Sequence, residues 1–205
     1  MARFLITQSL LSAWAYCFDC YEGFEDDARE EFLRVLRREP GEQTEAMLNG
    51  VNFETGVYLA AAGLPDNPNP KWINGTKAVA DIIRGAQIQV KASREIIVDD
   101  MRFLVYGILD ALKAGVIYDV KFVNSRFNSL ELAGRYLNSA QHPAYFYIVP
   151  EASEFKYLVS DGEDIYIEQY RREDVRSIGE IISEFIESLR GWNLLDLYKE
   201  KWLAL

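Results

Sequence analysis

The fold turns on two short segments, Tyr106-Gly107-Ile108-Leu109-Asp110 and Tyr118-Asp119-Val120-Lys121, with Lys113-Ala114-Gly115-Val116 between them. The flanking runs 103–112 and 116–123 are rich in β-branched and aromatic residues, and Ala114-Gly115 reads as a two-residue hairpin loop. If Lys113 pairs with Val116, counting outward sets Asp110 opposite Asp119. In that register the two Cβ atoms lie about 5 Å apart. Lys121 is two residues beyond Asp119 and points to the same face. A one-residue slip would move Asp110 to the opposite face, so register decides whether these groups meet.

Two carboxylates this close repel each other, and the repulsion is relieved by a proton or by a bridging cation. Oxygen donors suit a hard divalent ion such as Mg²⁺, with Mn²⁺ as the alternative. Such an ion polarises phosphoryl oxygens and acidifies water, while a neighbouring lysine orients that water or stabilises developing charge. The set equips the chain for metal-assisted phosphodiester hydrolysis. The plainer alternative for Asp119 and Lys121 is a cross-strand ion pair on a solvated face.

Outward from the hairpin, the pattern is helical before and mixed after. Residues 7–21 read as a helix capped by Thr7 or Ser9, followed by helices over 26–38, 42–62 and 74–85. The loop 63–70 holds three of the six prolines. Segment 87–91 alternates with period two and 95–98 is a short β-branched run, so both read as strands. Beyond the hairpin, 130–137 reads as a helix, 144–149 and 155–159 as extended, and 173–190 as a strong amphipathic helix. The sum is an α/β (α+β) chain, with a mixed central sheet carrying an antiparallel hairpin and flanked by helices. One domain over residues 1–205 is expected, because neither side of the proline loop can bury a core alone.

Composition narrows the function. The chain has 205 residues, is 49% hydrophobic and 26% charged, and carries a net charge of −10. Disordered, collagen-like and coiled-coil classes are excluded. No apolar run approaches the ~20 residues of a membrane helix. No secretory signal is read at the N-terminus, and with two cysteines a reducing, cytoplasmic location is expected. The acidity argues against a general nucleic-acid binder unless a metal supplies positive charge at the site.

Further motifs join the hairpin in chain order. Gly107-Ile108-Leu109-Asp110, Asp119-Val120-Lys121 and Gln141-His142-Pro143-Ala144-Tyr145, preceded by Gly50-Val51-Asn52-Phe53-Glu54, resemble the PD-(D/E)XK nuclease superfamily. The likeness is closest to its RecB-like and phage-type exonuclease members. The opening stretch with Ser9, Leu10, Trp14 and Cys17 resembles the first helix of the RecB-like proteins. The resemblance spans roughly residues 5–150. It implies a restriction-endonuclease-like core and a Mg²⁺-dependent deoxyribonuclease, in the phage type an exonuclease of recombination or repair. It also implies DNA as partner, metal at Glu54, Asp110, Asp119 and the Val120 carbonyl, Lys121 at the attacking water, and support from Gln141 and Tyr145. Glu54 stands where many RecB-like proteins have histidine. With Cys17 and Cys20 alone, the iron–sulfur cluster of some relatives is not expected, and no nucleotide-binding helicase motif is present.

Other features keep two readings. Cys17 and Cys20 have metal spacing but read as two half-buried thiols. His142, the single histidine, reads as supporting the site or lying at the surface. Tyr145, Phe146 and Tyr147 either stack on bases or belong to the core. Lys71, Lys77, Arg84, Lys91, Arg94, Arg126 and Arg135 form either a phosphate strip or an ordinary surface. Trp192, Tyr198 and Trp202 close the core or make a homo-oligomer contact. Against the nuclease stand a catalytically inactive nuclease-fold module that binds a basic partner, and an acidic DNA mimic.

Overall fold

The 103–112 and 116–123 runs pair as read, and the rest of the chain is built around them. The structure, a computed structural model, describes residues 2–65 and 69–204, so Asp66, Asn67 and Pro68 of the proline loop lie outside the described residues. The described strands are β1 (Arg3–Thr7), β2 (Gln87–Val98), β3 (Met101–Lys113), β4 (Val116–Phe122), β5 (Glu154–Ser160) and β6 (Ile165–Arg171). They form one mixed sheet in the order β1-β3-β4-β5-β6, with β2 also paired to β3. The β1–β3 and β4–β5 pairs are parallel and the others antiparallel.

Ala114 and Gly115 both have positive φ, 50° and 78°, the geometry that matches a tight hairpin turn to strand twist. Lys113 pairs with Val116, Leu112 with Ile117 and Ala111 with Tyr118, the register read from the sequence. The ladder stops one step before Asp110 and Asp119.

The helices are α1 (Gln8–Asp19), α2 (Glu25–Leu36), α3 (Glu45–Ala61), α4 (Ile73–Ile83), α5 (Ser129–Leu132), α6 (Gln141–Ile148), α7 (Ile178–Gly191) and α8 (Leu195–Lys201). Thr7 caps α1, its hydroxyl accepting from Leu10 N–H. Two apolar clusters flank the sheet. One joins α1, α6 and α7 through Leu10, Phe146, Ile182 and Phe185 to Phe103, Ile117 and Tyr157. The other joins α3 and α4 through Phe53, Val57, Val79 and Ile83 to Ala111, Tyr118 and Val120. The C-terminal aromatics close the first cluster: Tyr198 Oη donates to Leu5 O at 3.0 Å, and Trp202 Nε1 to Leu36 O at 2.8 Å.

Four sequence readings change. Residues 144–149, expected to be extended, lie in helix α6 and the turn that ends it. Pro143 is tolerated there because it is the third helical residue, where an amide has no helical partner anyway. The helix expected over 130–137 is confined to Ser129–Leu132. Segments 87–91 and 95–98 are one continuous strand, β2. Strands β1 and β6 were not expected; β1 precedes the helix read over 7–21 and shares only Thr7 with it.

No described helix is long and apolar enough to cross a membrane.

Candidate active site

Beyond Ala111 and Tyr118, strands β3 and β4 separate like the arms of a fork, and β4 goes on to pair with β5. Asp110 sits in the fork. Its Oδ2 accepts a hydrogen bond from Val120 N–H at 2.8 Å, so a side chain takes the place of the next rung. Asp119, on the opposing arm, is 2% exposed. Its Oδ1 accepts from Gln141 Nε2 at 2.5 Å. Its Oδ2 lies 2.8 Å from Lys121 Nζ, yet this buried oxygen receives no well-directed hydrogen bond among the described residues. The contact is an ion pair to a buried oxygen that lacks a directed donor.

Helix α6 fits into the fork along one face. Gln141, Tyr145 and Ile148 recur at i, i+4 and i+7. Gln141 holds Asp119, and Tyr145 Oη donates to Ile108 O at 3.0 Å, occupying a carbonyl of the unpaired stretch of β3. This approach requires glycine at position 107. A Cβ there would stand 2.5 Å from Tyr145 Cε1 and 3.2 Å from Ile148 Cδ1. Gly107, Asp110, Gln141 and Tyr145, read as separate motif positions, are thus parts of one packing arrangement.

Glu54 projects from α3. Its Oε1 accepts from Tyr58 Oη at 2.5 Å and from Gln89 Nε2 at 3.1 Å. Gly50, one turn earlier, has open space where a side chain would be. Sequence reasoning did not single out Tyr58 and Gln89. The first had a signal, since it lies four residues after Glu54 on the same helix. The second had none.

The charges of these groups act on one another. Burial, then Asp119 and then Glu54 push the Asp110 carboxyl up to about 8, against the opposing pull of the Val120 N–H and Lys121. Burial disfavours the Lys121 ammonium, but Asp119 and Asp110 outweigh it and hold the group protonated well above the usual lysine range. Burial and Asp119 push the Tyr145 hydroxyl up to about 12. Lys121 is therefore a standing cation and hydrogen-bond donor, and Asp110 a carboxyl that keeps a proton at neutral pH until another positive charge replaces it.

Among the described residues, no three His, Cys, Asp or Glu side chains already surround a common point closely enough to hold an ion. The donor set nevertheless fits a hard divalent cation. It is oxygen-only, one buried oxygen of Asp119 lacks a directed donor, and Asp110 is raised by burial and by carboxylates whose repulsion a cation would relieve.

The remaining candidates lie apart. His142 is 2% exposed, not at the surface, with Nδ1 3.1 Å from Tyr157 Oη and its ring stacked on Tyr170. Burial lowers it to about 4, so it is neutral. Cys17 and Cys20 are free, half-buried thiols. Tyr145 and Phe146 are core residues, and Tyr147 is partly exposed beneath Arg94. Lys71, Lys77, Arg84, Lys91, Arg94, Arg126 and Arg135 are exposed; Arg84 pairs with Asp81 and Arg126 with Glu163.

Two solved structures share this fold. The structure of SSO0001 superposes with a TM-score of 0.55 at 14% identity, over 94% of this chain and 78% of that one. LHK-Exo, an exonuclease solved in complex with dAMP, superposes with a TM-score of 0.53 at 12% identity, over 96% of this chain and 92% of that one. The architecture of a mixed six-strand sheet flanked by helices is thus shared with both. No family model matches the sequence, and no curated protein does.

Proposed function

We propose that this chain is a metal-dependent deoxyribonuclease of the PD-(D/E)XK type, a single domain acting on DNA as an exonuclease. The observation that carries the reading is the convergence of Asp110, Asp119 and Lys121 where the β3–β4 ladder opens. The fold shared with LHK-Exo, itself a nuclease bound to a nucleotide, supports it. Glu54, Asp110, Asp119 and the Val120 carbonyl would hold Mg²⁺ or Mn²⁺. A bound ion supplies Lewis acidity toward the scissile phosphate and acidifies an adjacent water.

The protein's own groups do the rest. Burial and the neighbouring carboxylates keep a proton on Asp110, and a bound cation would stand in for that proton. Gln141 fixes one oxygen of Asp119, so the other is directed at the site. Lys121 keeps its proton and acts by donating, orienting the attacking water and offsetting negative charge as the phosphorane-like transition state forms. Tyr145 holds the open stretch of β3 in place through the Ile108 carbonyl. The exposed lysines and arginines supply phosphate contacts that an acidic chain otherwise lacks.

Digestion of a linear duplex and of a single strand, with Mg²⁺ and with Mn²⁺, tests this. Asp119→Ala and Lys121→Ala each lower cleavage by about 10²–10³-fold or more while leaving the circular dichroism spectrum unchanged. A folded wild type that is inert with both ions sinks the reading.

One observation favours a second reading, a nuclease-fold module that binds a basic partner. A groove of about 590 Å³ between α1, α6 and α7 has Trp14, Phe18 and Ile181 among its walls and Asp19, Asp174 and Glu187 among its lining residues. A wild type without nuclease activity that still retains a basic protein through this groove would establish it.

A further inference from the structure

Gln89 carries an anomaly that the sheet does not need. Ile88 pairs with Ala111 and Val90 with Leu109, but Gln89 and Asp110, which fall between these rungs, do not pair. Gln89 has φ 53°, and it is the one described non-glycine residue with positive φ inside a strand; the others, among them Asp99, Asp100 and Ala114, lie in turns or at helix ends. Left-handed backbone is costly for a residue with a side chain and persists only where the surroundings impose it. Here it turns the carboxamide toward α3. Nε2 donates to Glu54 Oε1 at 3.1 Å and to Tyr58 Oη at 2.9 Å, and Tyr58 Oη donates in turn to the same Glu54 oxygen. Glu54 Oε1 is thereby held by two donors, while Oε2 receives no hydrogen bond from the described residues.

We propose that Gln89 and Tyr58 are positioning residues that pin one oxygen of Glu54 so that the other is presented to a divalent cation at the Asp110–Asp119 fork. The inference rests on the nuclease reading and adds to it two residues outside its motifs. A carboxylate ligand held by an outer donor loses less freedom on binding the ion, and deleting such donors weakens metal affinity by about 10–100-fold. The strain at Gln89 has the same origin. A relaxed strand would send this side chain elsewhere and leave Glu54 with Tyr58 alone.

The experiment is calorimetric titration of the full chain with Mn²⁺, without nucleic acid, together with the melting temperature in EDTA. Gln89→Gly removes the amide and relaxes the backbone. It weakens Mn²⁺ binding by about 10–100-fold while the ion-free melting temperature stays level or rises. Tyr58→Phe removes the other donor and weakens binding in the same sense. A residue serving only the fold would shift the melting temperature and spare the affinity. Wild-type Mn²⁺ affinity in Gln89→Gly, in a protein where Asp119→Ala abolishes uptake, overturns the inference and leaves the nuclease reading standing. A wild type that takes up no Mn²⁺, or an Asp119→Ala variant that binds it normally, overturns both.

Discussion

The two halves of β3 use the same backbone for different ends. Over 101–106 the strand is bonded on one side to β2 and, from Arg102 on, to β1 on the other, and Phe103 and Val105 are fully buried. Over 107–110 no described strand lies on the second side. Side chains take over there: the Tyr145 hydroxyl caps the Ile108 carbonyl, and the Asp110 carboxyl caps the Val120 amide. The first half satisfies its polar groups in a regular ladder and contributes cohesion. The second satisfies them individually, which leaves room for charged groups that a closed ladder would exclude. The candidate chemistry sits where regular pairing gives way, not where packing is strongest.

The largest expected effect separates the halves most sharply. Phe103→Ala opens a cavity in the fully paired half and costs about 3–5 kcal/mol in urea unfolding. Its Mn²⁺-induced stabilisation is unchanged; loss of that stabilisation would show that the halves are not separable.

Asp110→Asn acts oppositely. The native carboxyl keeps its proton up to about 8, whereas the unfolded chain releases it near 3.8. Between these values the native state binds more protons, so wild-type stability without metal falls as pH rises from 4 to 8. Asn cannot lose a proton, so the variant's melting temperature declines less over that window and exceeds wild type at pH 8 in EDTA. At about 100 times the dissociation constant, Mn²⁺ adds about 2.7 kcal/mol to the wild type. The variant gains little of this. A variant that melts below wild type at pH 8 without metal would show that burial and the neighbouring carboxylates do not raise Asp110.

Gly107→Ala drives a methyl against the Tyr145 ring. It costs about 1–3 kcal/mol and lowers cleavage, because α6 carries Gln141 as well as Tyr145. Normal cleavage would mean that α6 tolerates displacement. The smallest change is at the tip of the hairpin, away from the fork. Ala114→Asn suits the left-handed turn better and adds a few tenths to about 1 kcal/mol, with no effect on ion binding.

What the sequence disclosed follows the same division. The hairpin was legible because Lys113-Ala114-Gly115-Val116 fixes both turn and register locally. From these, the placement of Asp110, Asp119 and Lys121 follows by counting. The shared face of Gln141 and Tyr145 was also legible from their spacing, but the state of the segment was not. The run Ala144-Tyr145-Phe146-Tyr147-Ile148-Val149 has strong strand propensity, and helix wins there because α6 packs into the fork against Gly107. Strand β1 was hidden because it is only five residues long and Thr7, which ends it, also caps α1 and so reads as the start of the helix. Gln89 could not be found at all. Its role comes from a backbone conformation that no residue type announces in an alternating Gln-Ile-Gln-Val stretch.

That same kink has a second consequence, for how the molecule keeps company. Strand β2 is bonded only to β3 among the described strands, so its outer margin is a sheet edge, with the Glu95 carbonyl taken by Tyr147 Oη. The reversed turn at Gln89 interrupts this edge near one end, and the exposed Lys91 and Arg94 follow directly after it. A docking strand would meet a broken template edged with positive charge, the arrangement by which sheet proteins resist sticking edge to edge.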